Sequence, residues 1–283
     1  IISNYKLNAP NGGAVYDVGD PLTITWESIG SVTNAELAYS TGGASFTSPV
    51  VILASSPNDG SEVWPSGVPN SISSTVRVRV KSTTDDGFDI SDNDFRIRGK
   101  LAVTAPAAAA AVQIGQNYTI QWNATGTIPN VRIYYDTNDG KGADNIAGNA
   151  DDYPYTIATN YANCTPVSPA TTCAASYNWV GVPDTATALA KIKIIDSRAS
   201  ESDVIAESAP FNIVGNFTLV APNGSEDWRV ATTQNVKWTW GGTIPIVKLY
   251  YTKQLGDPAT VTWIEIDPLV TKNYSADGLP QNG

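Results

Sequence analysis

Runs in which apolar and polar residues alternate recur along the whole chain. Three of them, residues 22–26, 118–122 and 236–240, contain a tryptophan at the same distance from a preceding Ala-Pro pair. Alternate residues of a strand lie on one face of a sheet, so each run predicts a half-buried strand with this tryptophan on the core face. We therefore predict that Trp26, Trp122 and Trp238 are core residues, and not platforms for a sugar ligand.

These strands belong to a unit that is repeated along the chain. Each unit opens on Ala-Pro, and the tryptophan follows sixteen residues after the proline. A second alternating run follows after a turn that contains glycine, which predicts a hairpin. The matching segments are 35–39, 131–135 and 247–251; 64–69 and 179–183; 76–80 and 192–194; 91–92 and 202–203; and 95–97 and 211–213. Self-similarity of this kind predicts tandem structural units.

Each unit has the length and turn spacing of an immunoglobulin-like β-sandwich with about seven strands. The predicted fold is all-β, with sandwiches at 1–99, 100–215 and 216–283. The second unit is the longer one, and we assign its excess to an insertion at 138–176. The third breaks off before its last two strands. Those strands follow in a longer chain, or come from a neighbouring subunit, or the end folds differently.

The order of these motifs resembles the immunoglobulin-like, or fibronectin-III-like, repeats of large prokaryotic cell-surface and S-layer-type proteins. The resemblance rests on Ala-Pro-Asn-Gly, the strand with the tryptophan, the later Val-Pro and the closing Phe-x-Ile strand, and it covers nearly the whole chain. It implies a structural protein at the cell surface. Such modules also serve adhesins and exoenzymes, so the resemblance does not single out one function.

Composition excludes several classes of activity. The 283 residues include 27 acidic and 17 basic ones, a net charge of −10, which argues against a nucleic-acid-binding surface. The absence of histidine removes histidine-based triads and most zinc sites. No nucleophile elbow or phosphate-binding loop is present, and no apolar run is long enough to span a membrane. We predict that the chain is not an enzyme.

Cys164 and Cys173 are the two cysteines, and they lie close together in a Thr/Pro-rich segment. Two cysteines without histidine cannot complete a four-ligand zinc site, so a disulfide is the favoured interpretation and two buried free thiols the alternative. A disulfide indicates an oxidising compartment and therefore an extracellular protein.

Two acidic segments are candidate calcium sites. Clustered carboxylate and amide oxygens suit this cation, and glycine allows the tight turn that gathers them. The spacing near residue 136 departs from the known calcium loop, since an aspartate stands at a spacer position and an alanine at the closing one. The candidate ligands are Asp136, Asn138, Asp139, Asp144 and Asp151 in one segment, and Asp85, Asp86, Asp89 and Asp92 in the other.

The sequence predicts a function only through this architecture. We expect a segment of a tandem array that builds a surface layer or similar cell-envelope assembly, with copies of itself in a lattice or fibre, and envelope glycans, as partners. An adhesin or carbohydrate-binding array, and an accessory region of a secreted hydrolase, are the alternatives. Asn-x-Ser/Thr sites make glycosylation plausible at Asn163, Asn223 and Asn273.

Overall fold

The computed structural model describes residues 2–244, 247–254 and 256–266, and these form strands, turns and two short 3-10 helices. Unit 1, residues 1–99, has nine strands where the sequence predicted about seven, because three of them have only three residues and no visible alternation. The strands are β1 (Asn4–Ala9), β2 (Val15–Asp17), β3 (Thr23–Ile29), β4 (Asn34–Ser40), β5 (Val50–Pro57), β6 (Ser61–Val63), β7 (Ser73–Ser82), β8 (Phe88–Ile90) and β9 (Phe95–Arg98).

Two sheets face each other in unit 1, as the predicted sandwich requires. One has the order β1-β3-β6, and the other has the order β2-β9-β7-β4-β5 with β8 also paired to β7. The chain changes sheet between β1 and β2, so that β1 lies antiparallel to β3 and β2 parallel to β9. The apolar residues of the alternating runs fill the space between the sheets, among them Ile24, Leu37 and Val78, which are fully buried.

Unit 2, residues 100–215, repeats this arrangement strand for strand. Its sheets have the orders β10-β12-β15 and β11-β18-β16-β13-β14, with β17 also paired to β16. A second and separate apolar core fills it. The strands are β10 (Lys100–Ala105), β11 (Ala111–Gln113), β12 (Tyr118–Thr125), β13 (Asn130–Asp136), β14 (Tyr155–Ala162), β15 (Thr172–Trp179), β16 (Thr187–Asp196), β17 (Ile205–Glu207) and β18 (Phe211–Val214).

The predicted insertion at 138–176 is not a single insertion. It contains β14 and most of β15, which take the places of β5 and β6 of unit 1. The extra residues form two loops, 137–154 and 163–171, and they also lengthen the last strand of the smaller sheet. Sequence reasoning missed β14 because it is an edge strand with mostly exposed residues and no apolar alternation.

The predicted match of Ser91-Asp92 with Ser202-Asp203 is also wrong. Ser91 accepts a hydrogen bond from the backbone N–H of Val78, and it is Ser208 that does the same for the corresponding Ile192. The error arose because the loop after β16 is three residues longer than the loop after β7. The true counterpart of Asp203 is Asp86, as the bonds that close the two loops show: Ser82 N–H to Gly87 O, and Asp196 N–H to Val204 O.

The described part of unit 3 contains four strands. They are β19 (Asn216–Ala221), β20 (Lys237–Gly241), β21 (Tyr250–Tyr251) and β22 (Ile264–Glu265). The pairing of β19 with β20 repeats the register of β1 with β3 and of β10 with β12, including one irregularity before the alanine of Ala-Pro. The prediction that this unit is incomplete rests on residues 267–283, which lie outside the described residues. No helix of the described part is long and apolar enough to cross a membrane.

Candidate functional site

The predicted core tryptophans are fixed by the same contact in units 1 and 2. Trp26 and Trp122 are 3% and 0% exposed, which confirms their place in the core, whereas Trp238 is half-buried. The indole N–H of Trp26 donates to Oδ1 of Asn58 at 2.7 Å, and that of Trp122 donates to Oδ1 of Asn163 at 3.0 Å. Each asparagine in turn donates from Nδ2 to the backbone carbonyl of the turn that follows the tryptophan strand. Trp26 and Trp122 therefore serve stability and do not present a face to a ligand.

These bonds bear on glycosylation. Asn163 uses both side-chain heteroatoms inside unit 2, and its Nδ2, where a glycan would attach, donates to the carbonyl oxygen of Ile128 at 3.1 Å. Its predicted modification therefore competes with a bond that holds the core. Asn223 is exposed, and its side chain makes no hydrogen bond to the described residues. Asn273 lies outside the described residues, so glycosylation stays a prediction at both.

Cys164 and Cys173 form the predicted disulfide, with their Cα atoms 6.0 Å apart. Cys164 follows edge strand β14 of the larger sheet, and Cys173 lies in edge strand β15 of the smaller one. The bond thus joins the two sheets of unit 2 where the chain crosses between them. It constrains the loop 163–171, which in unit 1 is a tight turn.

The Asp-rich loop of unit 2 is held together by its own backbone. Asp136 is buried and accepts hydrogen bonds from the N–H groups of Asn138 and Gly140, each at 2.8 Å. Asp151 accepts from two N–H groups and Asp144 from one, while Asn138 donates to a backbone carbonyl. Asp139 pairs with Lys191 at 2.8 Å, and this lysine, followed by Lys141, lowers the pKa of Asp139. Lysine and backbone N–H donors thus already contact several of the carboxylate oxygens of this loop.

The second acidic cluster closes the open edge of unit 1. Asp85 accepts from the backbone N–H of Ser3, and Asp89 accepts from that of Leu7 at 2.7 Å. These donors lie on or beside edge strand β1, so the two carboxylates satisfy groups that would otherwise invite another strand. Asp92 exchanges two hydrogen bonds with Asn11, and Asp86 is exposed. Within the described residues, no three side chains of the types His, Cys, Asp or Glu come together in a way that could hold a metal ion. Calcium binding stays a prediction.

The most distinctive constellation lies where one sandwich meets the next. A single glycine separates the last strand of unit 1 from the first of unit 2, and another separates units 2 and 3. A Cβ atom on Gly99 would lie 2.8 Å from Cδ1 of Ile128, and one on Gly215 would lie 2.7 Å from Cδ1 of Ile244. Ile128 and Ile244 each stand six residues after the repeated tryptophan. Both linkers are therefore pressed against the same position of the following unit.

A polar clamp recurs at the two junctions. Asn70 accepts from the backbone N–H of Thr127 at 2.8 Å and donates from Nδ2 to the Thr127 hydroxyl at 2.9 Å. Asp184, the counterpart of Asn70, accepts from the hydroxyl of Thr243, the counterpart of Thr127, at 2.6 Å. This bond and one from the Thr243 backbone lower the pKa of Asp184.

Apolar contacts accompany each clamp. Gly126 lies against Val18, since an added Cβ would approach its Cγ2 to 3.0 Å, and Gly242 lies against Ile114 in the same way at 2.8 Å. Both glycines have positive φ, of 81° and 94°, which favours glycine and leaves room for the neighbouring side chain. Val18 and Ile114 are 2% and 5% exposed. The end of each sandwich is therefore covered by the next one.

Among the described residues, ion pairs join neighbouring units at the first junction only. Arg96 binds both carboxylate oxygens of Asp203, at 2.7 and 3.0 Å, and also reaches Glu201 at 2.7 Å. Arg98 lies between Asp17 of its own unit, at 2.6 Å, and Asp203 of the next, at 2.8 Å. The hydrogen bonds from Arg96, then those from Arg98, lower the pKa of Asp203 to about 2. Planar, forked arginine contacts of this kind fix orientation as well as distance.

An open cleft of about 500 Å³ lies beside the first junction. It is lined mainly by hydroxyl and amide side chains, and Arg198 is its one ionisable residue. A general acid and base or a nucleophile with its base are what hydrolytic sites require, and this lining supplies neither.

Sequence reasoning missed the clamp. Asn70, Asp184, Thr127 and Thr243 are ordinary polar loop residues when each is read alone. The signal that could have found them is the repeat itself, since Gly-Thr-Ile and Val-Pro-Asn/Asp recur at matching positions of successive units.

Comparison with known proteins finds similarity to solved structures at low identity. No protein-family model matches this sequence, and no curated protein does. The fibronectin(III)-like modules of CbhA from Clostridium thermocellum match at 12% identity with a TM-score of 0.23, over 74% of this chain and 92% of theirs. The N-terminal four Ig domains of Dscam1 isoform 6.9 match at 9% identity with a TM-score of 0.28, over 75% of this chain and 46% of theirs. Likeness at this level concerns the fold alone.

Proposed function

We propose that this chain is a non-catalytic structural array, in which successive sandwiches are held at fixed angles to form a stiff rod. The observation that carries the proposal is the junction, which recurs with a one-residue linker, an isoleucine against that linker, and an Asn/Asp-to-Thr clamp. A flexible tether between independent modules has no need for such contacts, because linkers rich in Gly and Ser leave neighbouring domains free to rotate.

Spin labels on two cysteines introduced at exposed positions of β3 and β12, Glu27→Cys and Thr119→Cys, test the proposal. These positions lie toward the far ends of units 1 and 2. We expect a single narrow distribution of distances between the labels in the full chain. A control with Gly-Gly-Ser inserted after Gly99 should give a broad one. A wild-type distribution as broad as that control would overturn the proposal.

The finer part of the proposal is a place in a surface layer or similar envelope assembly, with copies of the chain side by side. The disulfide supports a location outside the cytosol. The net charge of −10 makes copies repel one another, and a divalent cation bound between acidic loops would offset that repulsion. The adhesin or carbohydrate-binding array and the accessory region of a secreted hydrolase remain the competing proposals.

Light scattering with added calcium, followed by chelator, separates these alternatives. A lattice protein of this kind should gain mass with calcium and lose it with chelator, while the circular dichroism of the sandwiches stays unchanged. If the chain remains monomeric throughout and calorimetry detects no calcium binding, both the calcium bridge and the lattice assembly are refuted. The stiff rod would then be a spacer or stalk.

A further inference from the structure

We infer that the end of unit 1 that carries Gly30 and Ser31 is a preformed docking face for the C-terminal end of another sandwich of this type, one that carries basic residues on its last strand. The inference rests on the proposed function and names the partner of its junctions. Units 2 and 3 each use one end to contact the preceding unit, and no described residue of another unit contacts the same end of unit 1.

The counterparts of the junction residues are present at that end. Gly30 and Ser31 occupy the positions of Gly126 and Thr127, four and five residues after the repeated tryptophan. Gly30 also has positive φ, of 128°, and both residues are exposed. Ser31 offers the same N–H and hydroxyl that Thr127 presents to Asn70.

Apolar surface lies beside this clamp position. Ile29 is 73% exposed and stands where Thr125 stands at the first junction. Ile2 stands where Arg98 stands, which is the place of the last strand of the docked sandwich, so it does not belong to the face. An exposed isoleucine beside a glycine matches an aliphatic partner such as Val18 or Ile114, which lie against the glycines of the units that follow them.

Charge specifies the partner further. Asp86 corresponds to Asp203, which receives Arg96 and Arg98 at the first junction. Asp86 is exposed, and no hydrogen bond or ion pair joins it to another described residue, whereas its neighbour Asp85 is satisfied by Ser3 and Gly87. The face is thus complementary to a sandwich whose last strand ends on arginine or lysine, as that of unit 1 itself does.

The full chain extended by a second copy of unit 1 tests this. Residues 1–99 are added so that Gly99 of the copy is joined directly to Asn4. Residues 97–99 of the copy then replace residues 1–3 of the original unit, and the one-glycine linker is preserved. Labels at position 27 of the copy and position 23 of the original reproduce the geometry of positions 27 and 119. We expect a distance distribution as narrow as that of the native first junction.

In the extended chain, the variant Asp86→Asn in the original unit should broaden the distance distribution across the added junction. The matched control Asp92→Asn removes the same charge from the side of the sandwich, where it pairs with Asn11, and should leave the distribution narrow. A broad distribution at the added junction, with the native junction still narrow, would overturn the inference and spare the proposed function. A broad native junction would refute the proposed function itself. Equal behaviour of the two variants would refute the part assigned to Asp86.

Discussion

Gly99→Ala should loosen the first junction while leaving both sandwiches folded. Its methyl group would lie 2.8 Å from both Cγ1 and Cδ1 of Ile128, and 3.1 Å from the carbonyl oxygen of Thr125. Carbon atoms in favourable contact are about 3.5–4.0 Å apart, so one side must move. Ile128 is 1% exposed and packs in the core of unit 2, so it has little room to retreat. The linker is therefore the side that moves.

The magnitudes support this outcome. An extra methyl in a packed site costs about 1–3 kcal/mol. Ion pairs as exposed as that of Arg98 with Asp203, whose side chain is 48% exposed, contribute about 0.2–1 kcal/mol each. The strain energy thus equals or exceeds the stabilisation from several junction contacts. It is small compared with the free energy of unfolding of a whole sandwich, which is about 5–15 kcal/mol for an ordinary domain.

Labels at positions 27 and 119 report the effect directly. Gly99→Ala should broaden the distance distribution between them, and adding Ile128→Val, which deletes Cδ1, should restore part of the narrow component. Gly215→Ala places the same clash at the second junction and should leave this distance unchanged. If Gly99→Ala leaves the distribution as narrow as in the wild type, the glycine is not a steric requirement and the reasoning fails.

Three further predictions concern pH, the disulfide and the core. Asp184 and Asp203 have pKa values below the usual 3.8, so their contacts stabilise the junctions above that pH and are lost as the pH falls. Acidification to about pH 2 should therefore broaden the distribution of label distances across both junctions. Asp203→Asn should broaden the distribution across the first junction already at neutral pH. Thiol titration of unfolded, unreduced protein should find no free thiol, and reduction should destabilise unit 2 by about 2–3 kcal/mol on the chain-entropy model; two thiols per chain would contradict the bond. Asn163→Ala removes the acceptor of the buried indole N–H of Trp122 and should lower the free energy of unfolding of unit 2 by about 1–3 kcal/mol in denaturant titration. Asn58→Ala should destabilise unit 1 alone.

Several features of the fold could be predicted from the sequence because they depend on local periodicity. The strands of residues 22–26 and 118–122 alternate strictly, so one face had to be buried whatever the partner strand was. The repeat multiplied that evidence and correctly placed Trp26 and Trp122 in the core, whereas Trp238, predicted in the same way, is half-buried. The pairing of Cys164 with Cys173 was predictable because the chain has no other cysteine. Edge strand β14 was not, since its mostly exposed residues lack a periodic signal.

Only the tertiary structure decided what the charged residues do. A sequence shows that carboxylates lie close together along the chain, but it does not show which donors approach them from elsewhere. Lys191 reaches Asp139 across 52 positions, and the N–H of Leu7 reaches Asp89 across 82. The junction clamp likewise joins Asn70 to Thr127 across 57 positions. Such pairings depend on how the sandwiches fold and stack, because contacts between distant residues follow from topology and not from local pattern.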